Sequence, residues 1–282
     1  MNAQLQKGWQ VVFLRLSYGI QNGQGLDGNK MRKRGGLAVV SFLFAIASTC
    51  AQTTDFFDLV KTGTSKQIQA AIGQGADINA TNEAGATPLM YAVANNQNAD
   101  VIKTLLTAGA DLRVRNKAGT TVLMAAASFN QNPEVITILL KAGADIEGRD
   151  EVGWTSLMAA AGGNRNPKVI IALLKAGADI NAQDINGVNP LMCAASGNQN
   201  PEVITTLLKA GADINVEDTN GRTPLMYAAS GNQNPEVITT LLKAGADMEA
   251  KDRSGKTVFD YAQGNAKLKG TEVYRQLQKS SQ

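Results

Sequence analysis

From Ala86 to Gly255 the apolar positions of this chain fall into a pattern that repeats every 34 residues. Each copy opens with small and apolar residues, as in Leu225-Met226-Tyr227-Ala228-Ala229, breaks at Asn232-Gln233-Asn234, and resumes with Val237, Ile238, Leu241 and Leu242. The second run has helical spacing and gives a single apolar stripe. Thr223-Pro224 before the first run predicts a helix start, because the hydroxyl caps free amides and a first-turn proline has no amide to leave unpaired. Asn234-Pro235-Glu236 opens the second helix in the same way, with an acid at the positive end of its dipole. Lys243 suits the opposite end, and Gly245 permits the left-handed turn that stops the helix. Between copies the chain is expected to run out and back as a short hairpin-like finger, with Asp252 satisfying turn amides and Gly255 at positive φ.

The period is marked twice, by Gly109, Gly143, Gly177, Gly211 and Gly245 and by Gly119, Gly153, Gly187, Gly221 and Gly255. A fixed period of this size indicates a stacked array with one continuous core, so 282 residues are read as one folded domain. Residues 52–85 keep the second half of the pattern but lack Thr-Pro-Leu, and form an N-terminal cap. Residues 86–255 are five full repeats, and residues 256–282 a C-terminal cap with a polar outer face. An array offers a long surface and no ready pocket, which points to binding.

The segments Thr223-Pro224-Leu225-Met226-Tyr227-Ala228-Ala229, Leu241-Leu242-Lys243-Ala244-Gly245-Ala246-Asp247 and Asp252-Arg253-Ser254-Gly255 resemble the ankyrin repeat. The resemblance runs from about Asp55 to the C-terminus and implies an all-α solenoid of helix-turn-helix units with short fingers. Two features depart from the family pattern. The usual histidine after Thr-Pro-Leu is Met90, Met124, Met158, Met192 and Met226, so apolar packing is expected in its place. The unit has 34 residues instead of 33, the extra one lying in the loop between helices, where Asn96-Gln97-Asn98 and its copies should form amide ladders that cap helices and join repeats.

The resemblance implies a protein partner, met by the finger tips and the exposed part of the first helices on the concave face. The corresponding positions include Arg115, Lys117, Phe129, Arg149, Glu151, Trp154, Ile185, Val188 and Arg222, where the copies differ from one another. Phe129 and Trp154 replace smaller residues in most of the other copies and, with Arg115 and Arg149 nearby, have the composition of an interface hot spot. The alternative is an ordinary aromatic pair covering itself.

Composition removes most chemistry. There is no histidine, the commonest general base and metal ligand, and the two cysteines, Cys50 and Cys193, are far apart in the chain. Cys193 is expected to be a small buried residue, and Tyr91, Tyr227 and Tyr261 half-buried packing residues with phenol tips reaching water. Asp150, Asp184, Asp218 and Asp252 recur one repeat apart, too far for one cation to bridge, and are read as turn caps. No catalytic residue, cofactor or metal site is expected, and a monomer is. Net charge is +3, but residues 1–51 hold six basic residues against Asp27, leaving a balance of −2 for the rest. That excludes nucleic acid as the expected partner.

From Met31, Arg32-Lys33-Arg34, the apolar run Leu37 to Ala47 and the small residues Ser48-Thr49-Cys50-Ala51 have the three-part order of a secretory signal peptide. The run is shorter than the roughly 20 residues of a spanning helix, so cleavage near Ala51/Gln52 and no membrane insertion of the mature chain are expected. Residues 1–30 then read as an extension ahead of a start at Met31. The expected product is a periplasmic or secreted binding scaffold. Alternatives are an effector acting on a host or foreign protein, or an envelope protein lipid-anchored through Cys50.

Overall fold

A computed structural model describes residues 56–280; the signal peptide and extension assigned to residues 1–51 lie outside the described residues. A helix at residues 56–62 (α1) and α2 (Ser65–Gly73) open the array. Five helix pairs follow, α3 (Pro88–Asn95) with α4 (Ala99–Thr107), α5 (Val122–Phe129) with α6 (Pro133–Lys141), α7 (Ser156–Gly163) with α8 (Pro167–Lys175), α9 (Pro190–Gly197) with α10 (Pro201–Lys209), and α11 (Pro224–Gly231) with α12 (Pro235–Lys243). The closing pair is α13 (Val258–Ala262) and α14 (Glu272–Ser280). The array is all-helical apart from isolated bridges at the fingers, Arg115 with Thr121 and Lys251 with Thr257.

The helix starts obey the capping signals. Thr87, Thr121, Thr155, Asn189 and Thr223 accept from the amide three residues on, while Asn98, Asn132, Asn166, Asn200 and Asn234 accept from the amide two residues on. First helices stack on one another more closely than second helices do. The reason is side-chain size: Ala126, Ala127, Ala160, Ala161, Ala194 and Ala195 are fully buried between first helices, while Val, Ile and Leu separate the second layer. The first-helix side is therefore the shorter, concave side of the stack. The five methionines at the family's histidine position are buried, as expected for apolar replacement.

The loop asparagines join the repeats. Asn164 Nδ2 donates to the carbonyls of Ala127 at 2.9 Å and Asn130 at 2.7 Å in the preceding repeat, while its Oδ1 accepts from Asn166 N–H at 2.9 Å. The same three bonds recur at Asn96, Asn130, Asn198, Asn232 and Asn265, so the ladder runs from one cap to the other. A second row, Asn132, Asn166, Asn200 and Asn234, caps the second helices and donates to the carbonyls of Gln97, Gln131, Arg165 and Gln199. The first row is buried, so each amide supplies what water cannot reach.

The two glycine rows have different causes. Gly143, at φ 95°, has nothing within 4 Å of a Cβ and is required only by the left-handed helix stop. At Gly119, φ 76°, a Cβ would also lie 2.9 Å from the backbone nitrogen of Glu151, so the next finger approaches closer than any side chain allows.

Asn164→Ala leaves two buried carbonyls and one part-buried amide without the partner they have now. A loss of about 3 kcal/mol in urea unfolding is expected, given ~1–3 kcal/mol for each such group, whereas Gln131→Ala on the exposed rim should change it by less than about 0.5 kcal/mol. Ser156 is fully buried at the first position of α7, where three other first helices have proline, and its hydroxyl has no partner. With Thr155 already extended (ψ 168°), Ser156→Pro should stabilise the fold by about 0.5–1 kcal/mol in the same measurement.

Candidate interaction face

Every finger is closed by one side chain. Asn82, Asn116, Asp150, Asp184, Asp218 and Asp252 each accept, through Oδ1, the backbone amides two and four residues on. At Asp150 these bonds are 3.0 Å to Val152 and 2.8 Å to Trp154. The recurring acids therefore cap turns, and among the described residues no group of three or more ligand side chains is placed to hold a metal.

The second side-chain atom meets the first helix. Asn82 Nδ2 donates to the Tyr91 hydroxyl at 2.8 Å, and the hydroxyls of Tyr227 and Tyr261 donate to Asp218 Oδ2 at 2.8 Å and Asp252 Oδ2 at 2.6 Å. The tyrosines are half-buried, as expected, and their tips also clasp the fingers, a role the expectation did not include. The signal was a spacing of nine residues, from a finger cap to a first-helix tyrosine. Ala125, Ala159 and Cys193 occupy the tyrosine position in the three central repeats. There Trp154 Nε1 donates to Asp184 Oδ2 at 3.3 Å instead.

These surroundings set different protonation tendencies. Burial raises the Asp150 carboxyl above its ordinary value, with Asp184 adding to the rise against the amide bonds from Trp154, Val152 and Gly153. At Asp252 burial acts upward too, but bonds from the Tyr261 and Ser254 hydroxyls and from two amides outweigh it and hold the carboxyl at about 2. Burial, with the nearby Asp184 charge, pushes the Cys193 thiol far up, which makes it inert as a nucleophile.

The expected contact residues separate into three groups. Lys117, Glu151 and Ile185 stand exposed at successive finger tips, and Ile185, 70% exposed, lies beside the exposed Val152, to whose carbonyl its amide donates at 3.1 Å. Arg115 and Arg149 are exposed but also brace the fingers: Arg115 Nη1 donates to the Arg149 carbonyl, and Arg149 Nη1 to the Gln183 carbonyl at 2.7 Å. Phe129 and Trp154 are half-buried, Trp154 packing against the core. Two expectations are corrected. Val188 is only 6% exposed, its amide fixed to Asp184 and its side chain in the core, so it presents nothing to a partner. Arg222 is turned inward: its guanidinium pairs with the buried Asp218 carboxylate at 2.6 Å, donates to the Tyr227 hydroxyl at 2.7 Å and stacks 4.8 Å from that ring.

A family model described as ankyrin repeats (3 copies) matches in overlapping placements at residues 56–150, 89–184, 125–218, 157–252 and 191–270. Among solved structures the chain is similar to the human ASB11 ankyrin repeat domain, with 23% identity and a TM-score of 0.66 over 80% of this chain and 96% of that one. That likeness is one of fold. No curated protein matches the sequence.

Asp150 and Asp252 should respond oppositely to Asn substitution, an amide that already closes the fingers at Asn82 and Asn116. Asp252 titrates lower when folded than its unfolded value of about 3.9, so its contribution is complete above pH ~4 and disappears as pH falls towards 2. Asp252→Asn should lower the melting temperature at pH 7 and flatten the acid limb. Asp150 titrates higher when folded, so its ionisation opposes folding once pH passes that value. Asp150→Asn should raise the melting temperature at pH 7 and change it little at pH 3, as read by calorimetry across pH.

Proposed function

Because the chain belongs to the ankyrin-repeat family, and is on that ground a protein–protein interaction scaffold, we propose that it recognises one partner protein through its finger tips and first helices. The observation that carries this is the division of labour within the repeats. Positions that hold the stack are buried, while the tip position after the finger cap is exposed and takes five different residue types over six repeats: Glu83, Lys117, Glu151, Ile185, Thr219 and Arg253. A fixed frame that presents variable tips can encode specificity without altering the fold. Lys117, Glu151 and Ile185 are the central contacts, with Arg115 and Arg149 at once bracing and flanking them. Phe129 and Trp154 lie on the concave side behind.

We propose further that the scaffold works outside the cytoplasm, as a non-enzymatic periplasmic or secreted monomer. The basic, apolar and small-residue order from Met31 to Ala51 supports export. Among the described residues no helix is long and apolar enough to cross a membrane.

A photo-reactive residue placed at the neighbouring tip position 219 should cross-link a single discrete protein in the producing cells, and one at position 233 on the amide rim should not. Lys117→Ala/Glu151→Ala/Ile185→Ala should abolish that product and leave the unfolding midpoint unchanged. Equal products at both positions, or survival of the product in the triple variant, would refute the reading. The mature N-terminus should be Gln52 in an extracytoplasmic fraction; an uncleaved leader in the cytoplasm would refute export.

A further inference from the structure

A second exposed surface lies on the outer, second-helix side of the array and is independent of the fingers. The second residue of α4, α6, α10 and α12 is an acid, Asp100, Glu134, Glu202 and Glu236. In α8 it is Lys168, the unfavourable sign for the positive end of a helix dipole. Nearby departures point the same way. Arg165 stands where the other loops have Gln97, Gln131, Gln199 and Gln233. Ile171, 38% exposed, replaces threonines 137, 205 and 239, whose hydroxyls donate back to the proline carbonyl of their own helix. One repeat therefore departs at three outward positions, twice towards positive charge and once towards apolar surface, at the expense of its own helix electrostatics.

The same helix, α8, forms one wall of a groove against α6. Lys141 of α6 and Lys175 of α8 line the shallow cleft between the two helices, with Ala172 on its floor. Lys168, in the first turn of α8, lies about 10 Å of helix away from Lys175, with Arg165 in the loop just before it. Among the described residues no carboxylate forms an ion pair with any of these four cations, while nearby Glu134 is held by Lys103 at 3.0 Å. The result is a narrow apolar strip with unpaired positive charge at both ends.

We propose that this outer face of the third repeat docks an acidic segment of a protein partner, with carboxylates at Lys168 and Arg165 and at Lys141 and Lys175, and an apolar side chain over Ile171 and Ala172. Charge complementarity selects the occupant. A broad anionic lipid surface fits less well, because it would also meet Asp100, Glu134, Glu202 and Glu236 on the flanking helices.

The test uses the full chain and a fluorescein-labelled probe peptide of glutamates interrupted by leucine at every fourth position, followed by anisotropy. Binding should weaken with added salt. Lys168→Glu should weaken it by about tenfold or more, and Ile171→Thr by a smaller factor. Both variants install residues found in α10 and α12, so neither should unfold the protein, and Lys168→Glu should raise its melting temperature. The fingertip triple variant should bind the probe normally, which separates this surface from the one proposed above. No probe binding at low salt, unchanged binding by Lys168→Glu, or tighter binding to vesicles containing phosphatidylserine than to the probe would each overturn the proposal.

Discussion

The structure depends on a buried amide that serves two repeats at once. Each asparagine of the inner ladder takes two carbonyls of the preceding repeat, where water is excluded, and one part-buried amide of its own loop. Every polar group it touches would otherwise be an unpaired cost at a helix end. Because its three partners come from two repeats, the amide fixes the spacing between neighbours as well as the turn within one. The thirty-fourth residue of each unit therefore lengthens the loop without loosening it.

With the spacing fixed, the fingers follow. A repeat held at this distance brings the next finger against Gly119, Gly187 and Gly221 so closely that only a hydrogen atom fits, and one Asx side chain then closes each turn. Tyrosines tie the outer fingers to their first helices, while at the centre Trp154 ties its own finger to the Asp184 cap of the next. Least constrained are most of the side chains at the finger tips, whose backbone amides alone bond the preceding finger, and those on the outer face of each second helix. Sequence variation is tolerated there because the frame does not use those atoms.

Much of this was legible in the sequence because a repeat pattern reports its own geometry. Helix starts at Thr-Pro and Asn-Pro, stops at the Gly109 row, burial of the methionines and turn capping by the aspartates all follow from local chemistry repeated in register. The inner asparagine ladder was legible as a role, though not as the particular pair of carbonyls it takes. Residues whose roles depend on a neighbour in space were misread. Val188 and Arg222 share a position with the half-buried Trp154, yet one joins the core and the other neutralises Asp218, because the partner of that position comes from the finger and the first helix together. The tyrosine clasps went unseen for the same reason: nine residues separate their partners across a strand-like turn and a helix start, a spacing that no single element explains.

The central claim is that the inner asparagine ladder makes the array one cooperative frame. The direct measurement is urea unfolding of a Trp9→Phe variant, which leaves Trp154 as the sole tryptophan, followed by fluorescence at the central repeat and by far-ultraviolet circular dichroism over the whole stack. Coincident transitions in the parent, separating when Asn164→Ala is added, are the expected result. Transitions that already differ in the parent, or that stay coincident after the ladder is cut, would contradict it.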